Sequence, residues 1–223
     1  MININYILVP IISFLLGSIP FAFLYGKLIL KEDLRNFGSK NTGALNVLRL
    51  ASKKGKAFGI ISFLIAFLLD ASKAILAVYL ANLFLPDNFI LATTLGSFFA
   101  VLGHNYSIML NFKGGRGAAS LGGVLLYLDW KVFVAALVII VAFMVIFELS
   151  AGGKMDKKLL KHAVSEQIIG RVIGEAFVIL WVYFYAPILF YPVLFSMILV
   201  IYAHKDRISS QLEKMNNKKY LND

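Results

Sequence analysis

Residues 4–26 read INYILVPIISFLLGSIPFAFLYG, without one charged side chain. About 20 mostly apolar residues let a helix cross the hydrocarbon core of a bilayer. Met1–Asn5 carries no basic residue and no small-x-small cleavage pattern follows, so the stretch reads as a retained span and not as a secretory signal. Further along, Ala57–Leu85 is apolar except for Asp70 and Lys73, and the turn Pro86-Asp87-Asn88 closes it. Residues 89–112 follow, with His104 and Asn105 near their far end. Gly117–Leu128 is shorter than a full span, and Val132–Phe147 and Ile168–Tyr202 come next. The last is too long for one crossing, and Pro187 and Pro192 divide it in two. The pattern predicts an all-α integral membrane protein of seven transmembrane helices. It reads as one domain over 1–223, with a short tail at 204–223.

Composition agrees with this reading. Of the 223 residues, 60% are hydrophobic and 15% charged, against about 25% charged in soluble domains. A soluble enzyme, a disordered chain and a disulfide scaffold are excluded. With no Cys, thiolate chemistry is excluded as well. The net charge of +10 points to anionic partners: lipid headgroups, phosphates or nucleic acid. With the N-terminus outside, 20 of the 22 Lys and Arg fall in 27–56, 113–116, 154–171 and 205–223. The positive-inside rule makes those segments, including the C-terminus, cytoplasmic. The same rule requires the short Gly117–Leu128 segment to cross.

Two of these cytoplasmic segments carry polar chemistry. The first is DLRNFGSKNTGALNVLR, Asp33–Arg49. Its glycines allow an inward-turned nest of backbone N–H groups. Ser39, Asn41, Thr42 and Asn46 offer donors, and Arg35 and Arg49 offer guanidinium forks. Gly38 and Gly43 have the glycine spacing of a P-loop, but Ala44 and Leu45 stand where its Lys and Ser/Thr belong. A nucleotide-binding P-loop is therefore excluded. The second segment is GHNYSIMLNFKGGRG, Gly103–Gly117. It sets Lys113, Gly114, Gly115 and Arg116 at the start of a helix, where free N–H groups and the dipole attract anions. The same compositions also fit solvated loops facing lipid phosphates. His104, His162 and His204 form no metal-ligand spacing, so no metal is expected, and Asp70 and Lys73 read as an ion pair on one helix face. No His is followed by Asp five positions on, and Ala118–Gly122 only faintly echoes a nucleophile elbow.

The two loops resemble those of the PlsY-type acyl-phosphate:glycerol-3-phosphate acyltransferases, a family of bacterial membrane enzymes. The family's first motif is approximately D-[IL]-R-x-x-G-S-G-N-x-G-A-T-N-x-x-R. Its second is G-H-x-[FY]-P-x-x-x-x-F-K-G-G-K-G, and its D-x-x-K matches Asp70 and Lys73. Lys40 stands for a Gly, Leu45 for a Thr, Ser107 for a Pro and Arg116 for a Lys. The likeness is strong over roughly residues 10–125 and is expected to thin beyond 150. There the family's serine-rich third motif is not recognisable, with Ser165 the sole serine in its place, and His204-Lys-Asp-Arg-Ile208 follows its last motif.

The resemblance implies acyl transfer from acyl phosphate to the sn-1 hydroxyl of glycerol 3-phosphate, giving lysophosphatidic acid and phosphate for phospholipid synthesis. It implies Ser39, Arg49 and Arg116 as catalytic residues. Gly38, Asn41, Asn46, His104, Lys113, Gly114, Gly115 and His204 would bind or orient the substrates. It implies no cofactor and no nucleic acid, with membrane lipids as partners and a multi-pass place in the bacterial inner membrane, the active site facing the cytoplasm. The alternative is a catalytically degenerate homologue, or a membrane phosphate or lipid-phosphate binder or transporter.

Overall fold

The computed structural model describes residues 3–151 and 159–220, whose regular structure is entirely helical. Helices α1 (Asn5–Ser18) and α2 (Phe21–Leu28) are two halves of the first apolar stretch. They part at Ile19, whose extended backbone (ψ 114°) is the conformation a residue before proline prefers. A short helix α3 (Ala44–Ala51) lies in the first polar loop, ahead of the long α4 (Lys56–Phe84). Then come α5 (Phe89–Asn105), α6 (Ala118–Leu128), α7 (Trp130–Ser150), α8 (Leu159–Glu166), α9 (Ile168–Tyr185), α10 (Phe190–Tyr202) and α11 (Lys205–Tyr220).

Among the described residues, four segments are long and apolar enough to cross a bilayer: Asn5–Leu30, Lys56–Phe84, Trp130–Ser150 and Ile168–Tyr185. A fifth arises if Pro187–Tyr202 and Lys205–Glu213, bent by 52° to one another, count as one span. The protein is thus an all-α membrane protein with four to five candidate spans. Two expected stretches come out shorter. The apolar run 89–112 is helical only to Asn105, because Tyr106 leaves helical backbone (φ −121°, ψ 56°); left-handed Asn111 and Phe112 (φ 53° and 60°) end the short turn 108–110 that follows. Helix α6 has 11 residues, about 16 Å of rise against a hydrocarbon core of about 30 Å. The long run from 168 to 202 does break at Pro187, and Pro192 lies in the first turn of α10, where a missing N–H costs no helical bond.

The chain forms two compact units, residues 1–128 with 191–200, and residues 129–190 with 201–223. In the first, α4 buries Ala66, Ala71, Ala74, Ala77 and Ala81. Lipid tails give no hydrophobic force between helices, so small residues that let backbones close in do the packing. Gly17 of α1 meets the Ala100 backbone of α5, and Gly123 of α6 meets the Ala71 backbone of α4. Val78 and Gly96 touch, and Asn82 bonds to Thr93 at 3.1 Å, so α4 and α5 run antiparallel. Their outer faces stay apolar and open, as at Leu68, 57% exposed.

In the second unit Gly170 and Gly174 of α9 seat on Phe143–Phe147 and Ile140 of α7. Arg171 pairs with the buried Glu175 at 2.8 Å. The side chain of Gln211 on α11 caps α9, accepting from the N–H groups of Ile168 (2.8 Å) and Ile169 (3.1 Å). Most of the basic loop expected around Lys154–Lys161 lies outside the described residues, as do the side chains of His162 and Ser165.

Candidate active site

The first loop is built around Asn46. This side chain is fully buried on α3, and its Nδ2 lies 2.9 Å from each of the carbonyls of Leu34, Phe37 and Asn41. Its Oδ1 accepts from the Ser39 N–H at 3.2 Å. One amide therefore closes residues 34–41 into a turn and fixes the backbone of Ser39. Gly38 is left-handed (φ 54°), and a Cβ there would stand 2.6 Å from Asn46 Oδ1, so two constraints demand glycine.

The entrance of the loop is clamped separately. Asp33 accepts from the Arg35 N–H (2.9 Å) and pairs with its guanidinium (2.6 Å), which stacks 5.0 Å from the Phe23 ring centre. The Arg35 hydrogen bond holds the Asp33 carboxyl below the usual carboxylate range. A depressed folded value steadies the loop above about pH 4, and the effect fades as pH falls through that lowered value. Since the pair is largely exposed, the effect is small. The clamp also occupies the Arg35 fork, leaving Arg49 as the guanidinium of this loop without an acidic partner among the described residues.

The second loop answers a need of α5, whose last carbonyls require donors. Gly114 N–H reaches Asn105 O at 3.0 Å, and Gly115 N–H reaches His104 O at 2.9 Å. The sequence suggested amides free for an anion; these two cap a helix instead. What the glycines supply is close approach, because a Cβ on Gly114 would overlap the His104 carbonyl and one on Gly115 would overlap His104 Nε2. Ser107 donates its hydroxyl to the Ser18 carbonyl at the end of α1. Gly117, left-handed at φ 77°, starts α6 by accepting from Leu121 N–H at 2.8 Å.

Both loops stand at one end of the first unit, because one enters α4 and the other leaves its antiparallel neighbour α5. Leu110 of the second loop is buried in the same apolar cluster as Leu34, Val47 and Leu50 of the first. Gly38, Ser39, Asn41, Asn46 and Arg49 lie on one loop, and His104, Lys113, Gly114, Gly115 and Arg116 on the other. Lys113 is exposed and, like Arg49, has no acidic partner among the described residues. His104 is buried beneath its loop. His204 belongs to the second unit, buried, and its carbonyl accepts from Arg207 and Ile208 N–H at 3.0 Å each as α11 begins. Sequence reading missed Leu110, which braces the loops from a position with no local signal, and it marked Ser107 only as a departure from the family's Pro, not as a brace.

Residues 7–214 match the family model described as glycerol-3-phosphate acyltransferase. The chain belongs to this family. Two proteins named glycerol-3-phosphate acyltransferase, from Pelagibacter ubique (strain HTCC1062) and Ehrlichia ruminantium (strain Gardel), are each 32% identical to it. The alignments cover 96% of this chain and 97% of the first protein, and 95% of each chain for the second. The fold is similar to crystal structures of PlsY (YgiH), an integral membrane glycerol 3-phosphate acyltransferase. Its glycerol 3-phosphate form gives a TM-score of 0.68 at 24% identity, covering 93% of this chain and 92% of that one. Its lysophosphatidic acid form gives 0.66 at 23% over the same shares. The protein is thus integral to the membrane and multi-pass. The match to the family model extends into the C-terminal third, to residue 214.

Family departures now acquire physical meaning. Lys40 replaces a Gly at a left-handed position (φ 55°), so the family's glycine suits the backbone better than the lysine does. Ser107 replaces a Pro at φ −60°, the angle proline is locked near. The serine keeps that angle and adds the bond to Ser18. Nothing in the structure explains Leu45, an exposed apolar side chain on α3.

Proposed function

We propose that this membrane glycerol-3-phosphate acyltransferase takes its acyl group from an acyl phosphate and places it on the sn-1 hydroxyl of glycerol 3-phosphate. The hydroxyl oxygen attacks the acyl carbonyl carbon, the bond from that carbon to the phosphate oxygen breaks, and the phosphate carries away the hydroxyl proton. Lysophosphatidic acid and inorganic phosphate leave. Because acyl phosphate is already activated, no covalent enzyme intermediate is needed. The protein contributes proximity, worth up to about 7–11 kcal/mol in ideal cases, and stabilisation of the developing oxyanion. The observation that carries this reading is a pair of cation-and-glycine loops at one end of the helices, with Arg49 and Lys113 free of acidic partners among the described residues.

In this proposal Ser39, Arg49 and Arg116 act on the reacting phosphate and carbonyl. Lys113 binds phosphate beside Gly38, Gly114 and Gly115, while Asn41, Asn46, His104 and His204 orient. Support for His204 is its place in the family's last motif. The glycerol 3-phosphate and lysophosphatidic acid forms of PlsY support the choice of acceptor and product. Trapping followed by mass spectrometry tests the mechanism. The expected spectrum shows unmodified protein during turnover, and an acyl adduct on Ser39 or Ser120 would replace direct transfer with a nucleophilic scheme.

The proposal also keeps one domain over 1–223 with seven crossings, the N-terminus outside, and the C-terminus and site in the cytoplasm of a bacterial inner membrane. The charge asymmetry supports it. Since the chain has no Cys, single cysteines report sidedness cleanly. An impermeant thiol reagent on intact cells should label a Cys at Lys131 and spare one at Lys53. The reverse pattern would invert the topology.

A further inference from the structure

Three ionisable side chains lie buried under the second loop. Lys73 Nζ is 3.0 Å from Asp70 Oδ1, with the two side chains 2% and 1% exposed. Lys73 also donates at 2.6 Å to the Ile19 carbonyl, at the break between α1 and α2. His104 Nδ1 stands 3.8 Å from Asp70 Oδ1, and the opposite edge of its ring packs on Gly115, where it leaves no room for a Cβ. On the far side of the loop, Ser120 in the first turn of α6 donates its hydroxyl to the Asp70 carbonyl at 3.2 Å. Gly115, in the middle of the Lys113–Gly117 segment, thus rests on a ring that lies beside Asp70, and the helix that the segment enters is tied to the Asp70 backbone through Ser120.

Removing two charges from water is costly. Apolar side chains of equal volume often serve stability as well as, or better than, a buried ion pair. Ionisable residues at membrane depth mark functional sites more often than structural ones. We propose that Asp70 and Lys73, acting through His104 and Ser120, form a buried positioning unit that sets the Lys113–Gly117 loop in its phosphate-binding geometry. None of the four needs to touch substrate. The inference rests on the reading of this loop as a phosphate site.

The test replaces the pair by apolar side chains of similar volume, Asp70→Leu with Lys73→Met, in the full-length protein in detergent. The melting temperature is expected to stay near wild type. The kcat/KM for glycerol 3-phosphate should fall by about tenfold or more, with KM carrying most of the change, as expected when a binding loop shifts by a fraction of an ångström. Wild-type kcat/KM in a stable double variant would reduce the pair to a structural element and overturn the proposal. Should that variant not fold, Ser120→Ala removes a single hydroxyl from the same unit. A several-fold rise in KM is then expected, and an unchanged KM would overturn the proposal. Lys113→Ala separates the two levels of the argument. If it leaves KM unchanged for both glycerol 3-phosphate and acyl phosphate, the loop is not a phosphate site and the inference falls with it. If it raises KM while the Asp70 and Lys73 double variant does not, only the positioning unit is refuted.

Discussion

Asn46→Asp is expected to abolish turnover while leaving most of the helical signal in place. The change is isosteric, but it sets a second oxygen 2.9 Å from the carbonyls of Leu34, Phe37 and Asn41. Acceptor then faces acceptor in a site with no exposure, and the turn that places Ser39 opens. Asn46→Ala removes the donors without adding repulsion. It should cost about 2–4 kcal/mol, because several buried groups lose a partner at roughly 1 kcal/mol or more each. Its activity should fall about 100-fold, the scale of loss when a reacting group drifts by about 1 Å. Thermal melting and turnover of the two variants check this. Near-normal activity in Asn46→Asp would show that the buried amide does not organise the loop.

Gly115→Ala is the second large effect. A single methyl would overlap His104 Nε2, and the ring behind it is buried against Asp70. Overpacking of this kind costs about 1–3 kcal/mol. Here the loop yields more readily than the packed ring, so the loss should appear chiefly in activity, at about 100-fold. Gly43→Ala is the matched control. Its new Cβ would meet only Asn41 Nδ2, at 3.2 Å, and a few-fold loss at most is expected. Equal losses in the two variants would argue for a general intolerance of side chains in these loops, not for contact with His104.

The difference between Asn46 and Gly115 also shows what the sequence made legible. Long apolar runs and Pro187 made the four to five candidate spans legible, because hydrophobic length and a missing N–H act locally. The end of α5 was hidden, because Tyr106 leaves helical backbone with no glycine or proline at that position to announce it. The loops were recognisable by residue type and order, yet the roles inside them were not. Asn46 looked like a phosphate donor, but its four bonds run to residues 5 to 12 positions away. Gly114 and Gly115 looked like amide donors, but the unsatisfied carbonyls of α5 claim those amides first. Asp70 and Lys73 were legible as a pair from their spacing. Their contact with the second loop through His104 and Ser120 depends on how α4, α5 and α6 pack, which periodicity does not encode.

The most direct test of the account is phosphate release from acyl phosphate by the purified protein, followed with and without glycerol 3-phosphate. Release is expected only when the acceptor is present, in step with lysophosphatidic acid and abolished by Arg49→Ala. Release at the same rate without acceptor, or none with it, would contradict direct transfer at the two loops.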